Sequence, residues 1–318
     1  MKTHLIVIAD KSAPSFCFYQ HNCRQKELMP LAILRNTIAY ATREGLALIL
    51  LCGKEPLPAE YEAALASVDH IKIAPVALAE KYPDAVLISD GKDAEALSAG
   101  GTGQIIVQLT SDRLCEMAAV IRSFSGKCSK INFYLSDVDK VTDIKIDEYE
   151  KQLVAVADFV EREYRQGNFM ELNIISDRML LRQMNNCNAG VIHYTVAPNG
   201  NFYLCPGFFY TDEQNSVGDI THGLQMKNGQ LLELENAPIC SRCDAYHCKR
   251  CVYLNNRLTL EWNTPSRQQC VTAHLERNAA RRVQQALKLM PPFSLQAEIP
   301  EISYLDPFSL VTRKVQGR

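Results

Sequence analysis

Residues 240–251 read CSRCDAYHCKRC, which places four cysteines within twelve positions. They form two C-x2-C pairs separated by four residues. A C-x2-C turn brings two thiolates to one side of the backbone, as a tetrahedral zinc or iron centre requires. The stretch alone is compatible with a disulfide framework, a zinc site or an iron–sulfur site. The surrounding chain has to decide between them.

The composition is that of a globular protein. Of the 318 residues 47% are hydrophobic, enough for one large domain or two of ordinary size. The 34 basic and 36 acidic side chains nearly balance, so neither nucleic acid nor an anionic membrane is expected as a partner. The first apolar run covers only residues 5–9, too short for a secretory signal, and no later run approaches a membrane span. We therefore expect a cytoplasmic protein, where reducing conditions favour metal ligation over disulfides.

Short apolar runs in the first half of the chain predict buried strands. They cover residues 5–8, 47–52, 70–73, 85–89, 105–109, 131–135 and 172–175. Helical patterns lie between several of them, most clearly at 26–44, 111–124 and 147–166. Strand, helix, strand repeated about six times predicts an α/β fold with a parallel, barrel-like sheet. The functional site of such a sheet lies at the carboxyl ends of its strands.

The pattern changes after about residue 177. Residues 194–197 and 202–204 flank an Asn-Gly turn, which predicts a β-hairpin. The cysteines of this part of the chain are Cys187, Cys205, Cys240, Cys243, Cys248, Cys251 and Cys270. Seven thiolates exceed what one tetrahedral metal can use. Two centres are the economical interpretation, one with four thiolates and one with three, whose open position could take a side chain, solvent or a substrate.

Three segments follow from these patterns. Residues 1–180 are expected to form the barrel, residues 181–275 a cysteine-rich metal-binding domain, and residues 276–318 a C-terminal helix and tail. The basic helix at 277–290 is interpreted as a solvated surface.

The spacing Cys187-x12-Gly200-x4-Cys205 resembles the opening of the SPASM domain. This is the C-terminal cluster-binding domain of radical SAM enzymes that modify peptides. The hairpin YTVAPNGNFYLC at 194–205 and the turn Gly218-Asp219-Ile220 resemble it as well. The family continues with C-x2-C-x5-C-x3-C and a later single cysteine. Here two of those gaps are one residue shorter, and the later cysteine is Cys270.

The resemblance implies two auxiliary [4Fe–4S] clusters. One would be held by Cys240, Cys243, Cys248 and Cys270. The other would be held by Cys187, Cys205 and Cys251. Zinc is the alternative metal, because C-x2-C pairs bind it equally well. His193 and His247 could complete either centre or be partly exposed polar residues.

The same resemblance implies that the first segment is a partial (βα)6 barrel of radical SAM type. That family carries C-x3-C-x-aromatic-C after the first strand, where this chain has Asp10, Pro14, Phe16 and Cys17. Only the aromatic residue and the last cysteine match, and proline has no side chain that binds iron, so we expect the radical cluster to be lost. Cys23 is a candidate substitute ligand at a different spacing.

A second barrel motif follows the second strand. Gly53-Lys54-Glu55-Pro56 resembles the family's GGEP motif, whose backbone and acidic side chain receive the amino group of S-adenosylmethionine. A turn in which Glu55 caps the next helix is the alternative interpretation. The resemblance assigns cofactor contacts to Gly53, Glu55 and Cys17, and leaves open whether S-adenosylmethionine still binds.

Among radical SAM/SPASM proteins, the chain resembles the CXXX repeat peptide maturases, whose substrates carry cysteine at every fourth residue. This implies a degenerate maturase that binds a ribosomally synthesised precursor peptide beside an active radical SAM partner. Two alternatives stay open. One is a zinc-binding interaction module without catalysis. The other is an active enzyme with unconventional cluster ligation, for which Asp90, Asp137 and Asp177 are candidate acid–base groups.

Overall fold

The structure is a computed structural model that describes residues 2–100, 102–291 and 293–307. The end of the expected C-terminal tail, residues 308–318, lies outside the described residues. The strands are β1 His4–Ile8, β2 Ala47–Leu51, β3 His70–Pro75, β4 Val86–Ser89, β5 Thr102–Leu109, β6 Cys128–Leu135, β7 Glu171–Leu172, β8 His193–Val196, β9 Phe202–Tyr203, β10 Gly218–Asp219 and β11 Gly223–Leu224.

The helices lie mostly between these strands and after them. The α-helices are α1 Leu31–Glu44, α2 Ala59–Leu65, α3 Met117–Ser123, α4 Asp143–Arg165, α5 Ser176–Leu180, α6 Pro206–Thr211, α7 Val252–Thr259 and α8 Arg267–Ala286. Short 3-10 helices occupy Val76–Leu78, Ala94–Ala96, Ser111–Glu116, Val138–Lys140, Glu213–Asn215, Gly229–Leu232, Leu234–Asn236, Cys240–Arg242 and Phe293–Leu295.

One nine-stranded sheet organises the protein, in the order β7-β6-β5-β4-β3-β2-β1-β8-β9. Strands β1 to β7 pair in parallel in the order of the chain. Strand β8 adds to the free side of β1, also in parallel, and β9 returns antiparallel to it as the predicted hairpin. The sheet begins at β7 and ends at β9, so the barrel is open. The predicted α/β fold with a parallel, barrel-like sheet is confirmed.

Apolar runs form the parallel strands because both faces of this sheet are covered. All four residues 5–8 of β1 are buried, and α4 turns Tyr149, Leu153 and Val156 towards the core. Two predicted elements are shorter than expected. The helix predicted over 26–44 begins only at Leu31, because Pro30 disfavours a helical residue before it. The strand predicted over 172–175 ends at Leu172. Beyond it the Asn173 side-chain amide accepts from the backbone N–H of Phe133 and donates to its carbonyl, in place of strand pairing.

Helix α8 fixes the cysteine-rich loop, residues 240–251, to the barrel. It packs along α4 and also contacts α5. Its Arg277 side chain is fully buried and donates from Nε and Nη2 to the two carboxylate oxygens of Asp244, at 2.7 and 2.6 Å. Arg178 of α5 donates to the same carboxylate at 3.2 Å. Asp244 follows Cys243 directly, so this ion-pair network positions one of the cysteines.

The hairpin of the expected second domain is part of the same sheet as the barrel, since β8 pairs with β1 from His4–His193 to Val7–Val196. The division at residue 180 stays a prediction.

No helix within residues 2–100, 102–291 and 293–307 is both long enough and apolar enough to cross a membrane.

We predict that Asp244→Ala lowers the free energy of unfolding by about 3–5 kcal/mol, because it leaves Arg277 buried without its counter-charge. The matched control is Asp158→Ala. It removes the exposed partner of Arg282, which lies on α8 like Arg277, and should lower the free energy of unfolding by less than about 1 kcal/mol. Urea unfolding of the metal-free protein measures both. Equal effects of the two variants would contradict a role for Asp244 in holding the loop.

Candidate functional site: two cysteine-lined cavities

The structure brings the seven C-terminal cysteines together in two groups. Each group contains the cysteines of one of the two ligand sets that the resemblance implied. One cavity, of about 20 Å³, is lined by Cys240, Cys243, Cys248 and Cys270. The other, of about 210 Å³, is lined by Cys187, Cys205 and Cys251, and also by Cys17 of the barrel. The role of these residues as metal ligands stays a prediction.

Backbone geometry places the thiols of the larger cavity. Cys205 directly precedes α6, and Cys251 directly precedes α7. Burial raises the pKa of Cys205, and the backbone N–H groups of Gly207 and Phe208 oppose this rise. Cys187 lies beside the cysteine-rich loop because its backbone N–H donates to the carbonyl of Lys249 at 3.0 Å. Backbone donors to sulfur are among the interactions that tune protein-bound iron–sulfur clusters.

Burial keeps these cysteines protonated in the absence of a metal. It raises the pKa of Cys251 to about 12 and that of Cys240 to about 11. It also raises the pKa values of the other five thiols of the two groups. A metal binds the thiolate, so each ligating cysteine would release its proton on metal binding.

A buried cation, Arg250, lines the four-cysteine cavity. The side chain of Arg250 is enclosed, with 2% of the residue exposed, and Nη2 donates to the carbonyl of Leu232. Within the described residues its Nε and Nη1 groups have no hydrogen-bond partner. Burial lowers the pKa of Arg250, whereas Cys240 and Cys248 of one group and Cys187 of the other raise it.

This orphaned guanidinium is the feature that best fits bound metal–thiolate centres. A buried cation without a counter-charge is costly, and two unused N–H donors add to that cost. Thiolates bound to iron or zinc would supply both negative charge and sulfur acceptors near Arg250. The donor sets therefore fit iron–sulfur clusters, and the four-cysteine set fits zinc as well.

The thiols surround a common space and not a common point. In the described ranges, no three Cys, His, Asp or Glu side chains are arranged to hold a single metal ion. The larger cavity measures about 210 Å³, whereas one water needs roughly 10–15 Å³ by the same kind of measure. It has room for a polyatomic group.

Histidines accompany both groups, though differently from the expectation. His193 and His247 are both buried, so the interpretation as partly exposed residues is wrong. His193 lines the larger cavity, 3.5 Å from the Cys187 sulfur, and burial lowers its pKa to about 4. His247 pairs with Glu276 at 3.0 Å. The sequence reasoning missed His274, whose Nε2 lies 3.5 Å from the Cys243 sulfur. Its position one helical turn after Cys270 could have indicated it.

The barrel mouth is crossed by the loop that follows β1. An antiparallel bridge between Asp10 and Leu28 closes the base of this loop. The buried Asp10 carboxylate accepts hydrogen bonds from the backbone N–H groups of Ser12 at 2.8 Å and Glu27 at 3.1 Å. Asp10, at the position that corresponds to the first cysteine of the C-x3-C-x-aromatic-C pattern, therefore has a structural role.

The residues around this loop do not fit a radical SAM cluster. The Asp10 carboxylate already accepts backbone hydrogen bonds, and Pro14 has no side-chain atom that can bind iron. Cys17 lines the larger cavity. A separate mouth cavity of about 620 Å³ lies at the carboxyl ends of the strands. Cys23, an exposed residue, lines this mouth cavity together with Lys54, Asp90 and Ser136.

The GGEP-like motif also has a structural explanation here. A Cβ on Gly53 would lie 2.7 Å from Cγ of Asp10, so the glycine is needed for the close approach of that side chain. Glu55 is two-thirds exposed and pairs with Lys26 at 2.6 Å. It does not cap the next helix, since α2 begins after Pro58 without a side-chain cap. S-adenosylmethionine contacts by Gly53 and Glu55 stay a prediction.

The candidate acid–base residues are mostly engaged in structural contacts. The Asp137 carboxylate accepts from the backbone N–H of Ser111 at 2.6 Å and from its hydroxyl at 3.0 Å. Asp177 pairs with Lys130 at 3.5 Å. Asp90 lines the mouth cavity, where its side chain is two-thirds exposed.

No protein-family model and no curated protein matches this chain, but solved structures share its fold. Hexahistidine-tagged anSMEcpe with bound AdoMet superposes with a TM-score of 0.66 at 14% sequence identity, over 93% of this chain and 98% of that chain. Native anSMEcpe with bound AdoMet and the Cp18Cys peptide gives 0.65 at 15% identity, over 91% and 100%. At this identity the similarity shows the fold alone, an open α/β barrel with a mostly parallel sheet.

We predict that Arg250→Met lowers the metal content of the purified protein, because the bound thiolates lose their buried counter-charge and two N–H donors. Arg242→Met, an exposed change in the same loop, is the control and should keep the wild-type content. Metal analysis of both variants at equal protein concentration is the measurement. Full metal content in Arg250→Met would show that the guanidinium does not serve a metal centre.

Proposed function

We propose that this protein is a degenerate radical SAM/SPASM-type peptide maturase. It holds two auxiliary iron–sulfur clusters, binds a ribosomally synthesised precursor peptide with a CXXX cysteine repeat, and works beside a catalytically active radical SAM partner. It acts in the cytoplasm, without nucleic acid or a membrane as a partner. The observation that carries the proposal is the pair of thiol-lined cavities behind a barrel mouth whose first two cluster positions are Asp10 and Pro14.

The residues of the cavities would hold the clusters, and the clusters would supply single-electron transfer. The seven cysteines would provide thiolates, the backbone N–H groups near Cys205 and Cys251 would favour them, and Arg250 would balance part of their charge. The barrel contributes the mouth cavity, where polar side chains of several strand ends could receive a peptide. The structure of anSMEcpe with the Cp18Cys peptide supports the choice of a peptide as the ligand.

Zinc is the second candidate at the four-cysteine group. This candidate rests on the donor set, since the cavity is lined by Cys240, Cys243, Cys248 and Cys270. Four cysteine thiolates are also a common structural zinc set. In that case the group would be a staple of the fold, and the protein an interaction module.

We predict about eight irons and equivalent sulfide per chain in protein purified without oxygen, the content of two [4Fe–4S] clusters. Cys240→Ala combined with Cys243→Ala should remove about half of the iron and lower the melting temperature, because ligand loss removes folding free energy. The control is Cys115→Ala, an exposed cysteine outside both groups. Zinc in place of iron would favour the interaction module, and unchanged metal in the double variant would refute the site.

We predict that a synthetic CXXX repeat peptide binds at least about tenfold more tightly than the same peptide with every cysteine replaced by serine, a difference of about 1.4 kcal/mol. Fluorescence anisotropy of labelled peptides under reducing, oxygen-free conditions measures this ratio. A scrambled peptide of equal cysteine content controls for sequence. Equal affinity for the cysteine and serine peptides would contradict a cysteine-repeat substrate.

A further inference from the structure

Cys17 lies with three cysteines that are distant in the sequence. Its side chain lines the same cavity as Cys187, Cys205 and Cys251. The nearest of these is 170 residues away (187 − 17). Burial raises the pKa of the Cys17 thiol, and Cys251, Cys205 and Cys187 raise it further, which identifies all three as its electrostatic neighbours. The cavity is thus lined by four thiols, one more than the three that the SPASM resemblance accounts for.

The loop around Cys17 is held firmly in this position. The Gln108 side chain, near the end of β5, donates to the Cys17 carbonyl at 2.9 Å. On either side, Phe16 packs edge-on against Tyr19, and Phe18 packs edge-on against Tyr134. These contacts on both flanks and at the backbone fix the direction of the intervening side chain.

The same loop is packed against the helix that follows Cys205. Tyr210 of α6 stacks on His21 at 3.9 Å and on Tyr19 at 5.6 Å, measured between ring centroids. Its hydroxyl also donates to the carbonyl of Lys11 at 3.1 Å. The positions of Cys17 and Cys205 are therefore set by one packed unit, although they come from opposite parts of the chain.

We propose that Cys17 is the fourth protein ligand of the centre formed with Cys187, Cys205 and Cys251. This rests on the proposed function in that the centre is an iron–sulfur cluster. The one cysteine left at the position of the radical cluster motif then serves the auxiliary centre. On binding iron, Cys17 forms an Fe–S bond and its thiol proton passes to solvent. The cluster has four protein thiolates, so no iron is open to a substrate thiol.

The test compares Cys17→Ser and Cys17→Ala with Cys23→Ala, an exposed cysteine of the same loop that lines the mouth cavity. A fourth variant, Cys205→Ala, identifies which spectral signal belongs to the larger cavity. Iron and sulfide content, Mössbauer spectra and electron paramagnetic resonance of the reduced full-length protein are measured, with circular dichroism as the check on folding.

We expect Cys17→Ser to keep nearly all of its iron but to change the spectrum and reduction potential of one cluster, because oxygen replaces sulfur at one iron. Cys17→Ala should lose about one iron and give a three-iron signal on oxidation, or lose the same cluster signal that Cys205→Ala removes. Cys23→Ala should match the wild type in every measurement.

Two results would overturn the inference while the proposed function stands or is replaced by another. If the wild type holds about eight irons and both Cys17 variants keep both cluster spectra, Cys17 is not a ligand and the proposed function is unaffected. If Cys17→Ala removes a third cluster and abolishes cleavage of S-adenosylmethionine, Cys17 belongs to a radical centre. A wild type without iron would overturn the proposed function, and this inference with it.

Discussion

The parallel pairing of β8 with β1 is the interaction on which the arrangement of the site depends. It joins a strand from the cysteine-rich part of the chain to the first strand of the barrel, from His4–His193 to Val7–Val196. Parallel neighbours end at the same edge of a sheet. The loop after β1 and the turn after β8 therefore meet at that edge. Strand β9 returns antiparallel along β8, with Tyr203 opposite Thr195, and so carries Cys205 back to the larger cavity that Cys17 also lines. A separate second domain connected by a linker would not impose this proximity.

Charge is the second organising principle. Thiols of both groups influence Arg250, a buried cation with two nitrogen donors that lack partners in the described part of the chain. With protonated thiols around it, this arrangement is electrostatically incomplete. Thiolates bound to metal would complete it, because they add negative charge near the guanidinium. Asp244 with Arg277 and Arg178 is the contrasting case, where a carboxylate of the protein itself lies against the buried guanidinium groups.

The sequence predicted features that depend on local pattern. Apolar runs located the parallel strands, and the Asn-Gly turn located the hairpin of β8 and β9. The division of the seven cysteines came from family spacing, and the structure groups them in the same way. The neighbourhood of Cys17 could not be predicted, because no spacing rule relates residues 170 positions apart (187 − 17). The early end of β7 depended on a single side chain, Asn173, which replaced backbone pairing.

Asp10 and Gly53 also constrain how this chain could change. The carboxylate closes its loop by accepting two backbone N–H groups, and the glycine provides the space that the carboxylate occupies. A cysteine at position 10 would leave those two N–H groups with a much weaker acceptor, and a second cysteine would still be needed at position 14. The Cys17 side chain would in addition have to turn away from the larger cavity. A radical SAM-type centre at this loop would thus require the loop to refold, and each single substitution towards it would first remove an existing contact.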